Sequence, residues 1–72
     1  MTKLWEGFIP LYQVPRNTHV RTKQGVSVFF HHVDGMYSYC ELGGNACHLF
    51  ANEQVEYISE EEYEDYLKGR GL

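Results

Sequence analysis

The sequence has few cysteines, no long hydrophobic run and no excess of basic residues. Two cysteines, Cys40 and Cys47, are too few for a disulfide-stapled scaffold and favour a reducing cytoplasm. Residues 1–10 lack the apolar stretch and the small-residue cleavage site of a secretory signal, and no apolar run is long enough to span a membrane. We therefore expect a small cytoplasmic protein that does not enter a membrane.

The charge balance disfavours binding to duplex DNA. Six basic residues stand against ten acidic ones, a net charge of −4, so the chain lacks the basic excess that releases counterions from a phosphate backbone. The acids are concentrated at one end, since residues 53–72 carry seven acids against Lys68 and Arg70. A basic surface on a partner would complement this acidic end.

The motifs of common enzymes are also missing. The chain has no glycine-rich phosphate loop, nucleophile elbow or catalytic carboxylate pair, so we expect no enzyme activity and no cofactor. The soft metal ligands are His31, His32, Cys40, Cys47 and His48, but the cysteines are too far apart for the usual zinc pair. Two reduced cysteines packed as small apolar groups are favoured over a metal clip or a strained disulfide.

Turn signals divide the chain into short strands. Asp34-Gly35 separates two β-branched and aromatic runs, and Gly43-Gly44 follows the second, which is the pattern of consecutive hairpins. Strands are predicted at 8–14, 19–22, 26–33, 36–42, 45–51 and 54–58. Pro10 and Pro15 suit an edge strand or a strand end.

A helix is predicted after the last strand. Ser59 and Glu62 have the spacing of a capping box, and acids fill the first turn. The helix is expected from Glu60 to Lys68, with Gly69 as a left-handed cap. The 72 residues then form one mainly β domain, a small SH3-like or OB-like barrel of five to six short strands with a C-terminal helix. Its parts are an arm (1–7), the barrel (8–58), the acidic helix (59–69) and a tail (70–72).

The two glycine turns predict which side chains share a face. Two-residue loops would pair Val33 with Met36 and Cys40 with Cys47. The face assigned to the core is Phe29, His31, Val33, Met36, Ser38, Cys40, Leu42, Cys47, Leu49 and Ala51. The opposite face is Val26, Val28, Phe30, His32, Tyr37, Tyr39, Glu41, His48 and Phe50.

The opposite face is rich in rings with polar tips, and two interpretations stay open. In the first, this face is covered by Trp5, by the N-terminal strand or by the C-terminal helix, so that the sheet has a core on both sides. In the second, the face is exposed and contacts a partner. The predicted partner-binding residues are Phe30, His32, Tyr37, Tyr39, His48 and Phe50, with Glu60, Glu61 and Glu64 on the helix. Alternatively, the chain binds a nucleotide or single-stranded nucleic acid. Tyr37, Tyr39 and Phe50 would then stack a base while Arg16, Arg21 or Lys23 takes a phosphate.

Three strings resemble small tailed-bacteriophage proteins that share a VPRNT segment and an F-x-H-x-DGMYS-x-C hairpin. They are VPRNTHVR (14–21), FFHHVDGMYSYC (29–40) and HLFANEQVEY (48–57). The resemblance covers residues 12–58, although this chain is shorter between Thr22 and Val26 and its helical tail is not shared. It implies a phage accessory protein in the host bacterial cytoplasm that binds and modulates a host or phage protein, or sequesters a signalling nucleotide. A homo-oligomer is compatible with either role.

Overall fold

A computed structural model describes residues 3–71, in which one antiparallel sheet is followed by a helix. The six strands lie in the order β1-β6-β2-β3-β4-β5. They are β1 (Ile9–Pro10), β2 (Thr18–Thr22), β3 (Ser27–Asp34), β4 (Tyr37–Leu42), β5 (Asn45–Cys47) and β6 (Gln54–Tyr57). A 3-10 turn, Leu11–Gln13, follows β1, and α1 spans Glu60–Gly69. The mainly β fold with a short C-terminal helix is thus confirmed.

The sheet is not closed, because β1 and β5 do not pair. The bridging segment, residues 49–53, crosses part of the gap between β4 and the turn after β1. Its backbone hydrogen bonds are Ser38 N to Leu49 O (2.7 Å), Ala51 N to Met36 O (2.8 Å), Leu11 N to Glu53 O (3.0 Å) and Tyr12 N to Ala51 O (3.0 Å). Residues 48–51, predicted as the end of a strand beginning at Asn45, do not continue β5, which ends at Cys47; only Phe50 pairs again with β4, through an isolated bridge to Tyr37.

The core lies on the inner side of the curved sheet. Its fully or nearly fully buried members are Leu11, Val14, Val20, Val28, Phe30, Cys40 and Val55. The predicted core residues Ser38 and Cys40 are buried, and Val33, Leu42, Cys47 and Leu49 pack around the cluster. Trp5 also packs against it and contacts the Tyr57 ring edge-on, 5.5 Å between centroids, so Trp5 does not cover the face opposite the core.

The register predicted for the first hairpin is wrong at its turn. Val33 pairs with Ser38 rather than with Met36, and Asp34 pairs with Tyr37, so the loop residues are Gly35 and Met36. Gly35 has φ +65° and Met36 has no positive φ, the arrangement of a type II′ turn rather than the expected type I′. Met36 lies at the tip and is 74% exposed instead of buried.

A β-bulge in β3 corrects the assignment of faces. The register with β4 shifts between Phe30 and His32, and one extra residue reverses the alternation of side chains. Phe30 is therefore opposite Cys40 and only 1% exposed, so it belongs to the core and not to the contact face. Val28 is likewise buried, whereas Phe29 and His31 are only half-buried.

The second hairpin has the predicted register. Gly43 and Gly44 both have positive φ, +59° and +87°, as a type I′ turn requires. Leu42 pairs with Asn45 and Cys40 with Cys47, which confirms the second half of the meander.

The helix begins as predicted and ends slightly later. The Ser59 hydroxyl accepts from the Glu62 amide (3.1 Å), and the Glu62 carboxylate accepts from the Ser59 amide (3.0 Å), a complete capping box. Gly69 is inside the helix rather than at a left-handed cap. The positive φ occurs at Gly71 (+75°), after Arg70.

Candidate partner-binding surface

The outer face of the sheet is divided between a covered half and an open half. Tyr63 of α1 is 7% exposed and packs on His19 of β2, with 4.8 Å between ring centroids. Its hydroxyl donates to the Glu41 carbonyl (3.2 Å) and accepts from the Gly43 amide (3.3 Å). The helix thus covers the part of this face around His19, one of the two alternatives that the sequence left open.

A row of rings connects the covered half to the open half. His19 contacts Phe29, Phe29 contacts His31 and His31 contacts Tyr39, with centroid separations of 4.8, 4.8 and 5.0 Å. His31 Nε2 donates to the Glu41 carboxylate at 2.8 Å, which fixes the orientation of its ring. The bulge places Phe29 and His31 in this row, because it turns them away from the core.

The open half carries a cluster of exposed apolar side chains at the turn between β3 and β4. We call it the aromatic patch: Tyr12, Met36, Tyr37, Tyr39, His48 and Phe50. Tyr37 and Phe50 stack with 4.9 Å between centroids and 27° between planes, and an isolated backbone bridge joins the same two residues. The bridging segment therefore holds Phe50 beside the hairpin tip.

Two shallow depressions border the aromatic patch. The larger, of about 380 Å³, is lined by Asp34, Tyr37, Ser38, Tyr39 and His48. The smaller, of about 220 Å³, is lined by Tyr12, Met36, Phe50, Ala51 and Asn52. Tyr37 lines the first depression and Phe50 the second, so their stack lies between the two.

The structure brings together most of the predicted contact residues. Tyr37, Tyr39, His48 and Phe50 lie in the patch, and His32 lies beside Tyr39 at 5.9 Å between centroids. Phe30 is absent from the patch because it is buried.

Sequence reasoning missed Tyr12, Met36 and Asp34 as members or neighbours of the site. Tyr12 reaches it only through the bridging segment, for which the sequence carries no local signal. The sequence predicts Met36 as the first residue of a strand and Asp34 as a turn residue. A type II′ turn with Gly35 in its first position is the signal that would have placed Met36 at the exposed tip.

Hydrogen bonds orient the polar groups at the larger depression. The Ser38 carbonyl accepts from His48 Nδ1 at 3.1 Å, so Nδ1 carries a proton. The Ser38 hydroxyl donates to the Leu49 carbonyl (3.0 Å) and lies 3.3 Å from Cys40 Sγ. Burial raises the pKa of the Cys40 thiol, which keeps it protonated and unreactive at neutral pH.

The predicted acidic residues form a separate surface. Glu60, Glu61 and Glu64 are exposed on α1, where they border a shallow depression of about 310 Å³ together with Asp65 and Lys68. This depression shares no lining residue with those at the aromatic patch.

Two of the three basic residues proposed for a nucleotide site lie away from the rings. Arg21 pairs with Glu56 at 3.0 Å and with Glu62 at 3.8 Å. Lys23 lies over the Phe8 ring, 5.5 Å from its centroid. Arg21, near the end of β2, is opposite Ser27 at the start of β3, and Lys23 follows β2, whereas Tyr37 is opposite Asp34 at the end of β3. Arg16 is exposed just before β2, where the next residue donates to the His31 carbonyl.

Comparison with protein-family models, curated proteins and solved structures gave no match. Within residues 3–71, no three His, Cys, Asp or Glu side chains are grouped so as to hold a metal ion. No helix in the described range has the length and apolar character needed to cross a bilayer.

Proposed function

We propose that this protein is a non-enzymatic binding module that engages and modulates a protein partner through the aromatic patch. One observation carries the proposal. Of the seven large hydrophobic side chains that are exposed in the described part of the chain, five belong to the patch: Tyr12, Met36, Tyr37, Tyr39 and Phe50. Contiguous exposed apolar surface typically marks an interaction site, and tyrosine is enriched among residues that dominate binding energy.

Four of the six side chains of the patch, Tyr37, Tyr39, His48 and Phe50, already pack against other rings before a partner arrives. Tyr37 is stacked on Phe50, and Tyr39 is surrounded by the rings of His31, His32 and His48. Side chains that are fixed in the free protein lose little rotamer entropy on binding, so more of the contact energy is available for affinity.

We also propose an SH3-like, partly open barrel as the fold and a phage accessory role as the context. Strands β2 to β5 form a meander, and β6 returns to pair with β2, which supports the SH3-like assignment. The resemblance of residues 12–58 to small tailed-phage proteins supports action on a host or phage protein in the bacterial cytoplasm.

Affinity capture with matched variants tests this function. The parent protein, Phe50→Ser and Phe8→Ser are immobilised separately and exposed to the same bacterial lysate, and bound proteins are quantified by mass spectrometry. Phe8 is a matched control because it is also exposed, at 39%, but lies beside Lys23 away from the patch. A partner bound at the patch is retained by the parent and by Phe8→Ser. It is lost by about tenfold or more with Phe50→Ser, the effect of removing a hot-spot ring.

Equal recovery of every captured protein on the three surfaces would contradict the proposal.

A thermal-shift screen with linear and cyclic nucleotides tests the alternative function. We expect no change in Tm, because Asp34 borders the rings and Arg21 is paired elsewhere. A rise in Tm that is present in the parent and absent in Tyr37→Ser would show that the patch binds a nucleotide, and the nucleotide-binding function would then be preferred to the protein-binding one.

A further inference from the structure

We infer that the larger depression of the aromatic patch binds the guanidinium group of an arginine side chain on the protein partner. This inference rests on the proposed function and names the chemical group that the site recognises. The depression of about 380 Å³ is lined by two tyrosine rings, an imidazole and one carboxylate. Aromatic rings together with a carboxylate favour an organic cation, since the ring faces carry negative electrostatic potential.

The rings are exposed and held in place. Tyr37 is 47% exposed and stacked on Phe50, and Tyr39 is 40% exposed with His48 at 5.8 Å between centroids. A planar cation can therefore lie against tyrosine rings without reorganising them, which lowers the entropy lost on binding.

Asp34 supplies the counter-charge. Its side chain is exposed and makes no ion pair or hydrogen bond with any residue between 3 and 71. The carboxylates of Glu41 and Glu56, in contrast, already bind His31 and Arg21. Asp34 can thus pair with a partner's cation without first losing an internal one.

His48, another polar residue at the depression, also favours a ligand that donates hydrogen bonds. Because His48 Nδ1 donates to the Ser38 carbonyl, the neutral ring presents Nε2 as an acceptor. Guanidinium has five N–H donors and no acceptor, and it remains charged at all physiological pH values. Its planar fork pairs with a carboxylate while its face stacks on an aromatic ring, a combination that the ammonium group of lysine does not offer.

A ligand titration followed by two-dimensional ¹H–¹⁵N NMR tests the recognition directly. The probes are Nα-acetyl-arginine amide and Nα-acetyl-citrulline amide, which have nearly the same shape but differ in charge. We expect saturable shifts of the Tyr37, Tyr39 and His48 amides with the arginine derivative, and binding about tenfold weaker with the citrulline derivative. Equal affinity for the two probes would overturn the inference.

Matched charge variants identify the counter-charge. Asp34→Asn and Asp65→Asn each remove one negative charge from an exposed aspartate, but only Asp34 borders the depression. We expect Asp34→Asn to weaken binding of the arginine derivative about tenfold and Asp65→Asn to leave it unchanged. An unchanged affinity in Asp34→Asn, with a spectrum that shows an intact fold, would overturn the role of Asp34.

The same variants separate this inference from the proposed function. For a partner that depends on Phe50, we expect Asp34→Asn to reduce capture as well. If Phe50→Ser abolishes capture while Asp34→Asn does not, the patch binds protein without an arginine anchor, and the inference is wrong although the proposed function stands. If neither variant affects capture, the proposed function itself is contradicted.

Discussion

Two phenylalanines show how strongly the environment of one residue type differs within this small domain. Phe30 is 1% exposed and Phe50 is 52% exposed, although simple alternation from the two turns placed both on the same face. The difference arises from the bulge, since one extra residue in β3 turns Phe30 inward. No glycine or proline lies between Phe30 and His32, so the local sequence gives no warning of the bulge.

Alanine substitutions at these two positions test the corrected faces. Phe30→Ala should lower the free energy of unfolding by about 3–5 kcal/mol, because it removes transfer energy and leaves a cavity. Phe50→Ala should lower it by only about 1 kcal/mol or less, because Phe50 is half exposed and loses mainly its stack on Tyr37. Urea denaturation measures both.

Similar losses for the two variants would contradict the assignment of inside and outside. A loss of a few kcal/mol is close to the whole stability of a domain of this size. Phe30→Leu, which removes fewer atoms, keeps the comparison measurable if Phe30→Ala does not fold.

At the scale of secondary-structure elements, the sequence predicts the positions of the hairpin turns more reliably than the β-turn type that each of them adopts. Asp34-Gly35-Met36 can form a type I′ loop at its first pair of residues or a type II′ loop at its second, because one glycine serves either turn. Tertiary packing selects the second, in which Val33 pairs with buried Ser38. Gly43-Gly44 and the Ser59 capping box were predictable because their chemistry is local.

Glycine-to-alanine substitutions in the first turn and in the helix test whether the turn requires a residue with positive φ. Gly35 has φ +65° with no atom within 4 Å of an added Cβ, so Gly35→Ala is opposed by backbone strain alone. We expect it to cost about 1–2 kcal/mol. Gly69 has the same open surroundings but a helical backbone, so Gly69→Ala should be neutral or stabilise by up to about 1 kcal/mol.

Urea denaturation measures the free energy of unfolding of both variants, with the same m value, the dependence of this free energy on urea concentration, used for each. Equal stability of Gly35→Ala and the parent would mean that the hairpin tip does not require a left-handed residue.

At the scale of the whole molecule, the turn signals between short apolar runs predict a mainly β fold, but they do not predict which residues come together at the site. Tyr12 and Phe50 belong to segments 38 residues apart in the chain. They border one depression because the bridging segment bonds to both β4 and the turn after β1. Such a juxtaposition depends on how the sheet curls, which single-sequence patterns do not encode.

The packing of α1 on the sheet predicts a pH dependence of stability. Burial between Phe29 and Tyr63 lowers the pKa of His19, although Glu60 and Glu64 on the helix oppose this shift. The unfolded chain then binds the proton more readily than the folded one. The contribution of His19 to stability is therefore complete above its unfolded pKa of about 6.5 and is lost as the pH falls through the lowered folded pKa.

Urea denaturation between about pH 5 and pH 7.5 measures this effect, since Glu62, whose pKa is also lowered, titrates below that window. We expect the free energy of unfolding to rise with pH in the parent and to rise less in His19→Asn. An identical pH slope in the two proteins would show that protonation of His19 does not limit helix packing.

The bridging segment makes recognition and folding depend on each other. It presents Phe50 to the outside, while its backbone connects β4 to the turn after β1 and so crosses part of the gap between the two open edges of the sheet. A partner that binds Phe50 would also hold the bridging segment across this gap. Any ligand that binds preferentially to the form with the segment in place stabilises that form by mass action. Occupancy of the surface would then be measurable as slower detachment of the bridging segment from β4 and from the turn after β1.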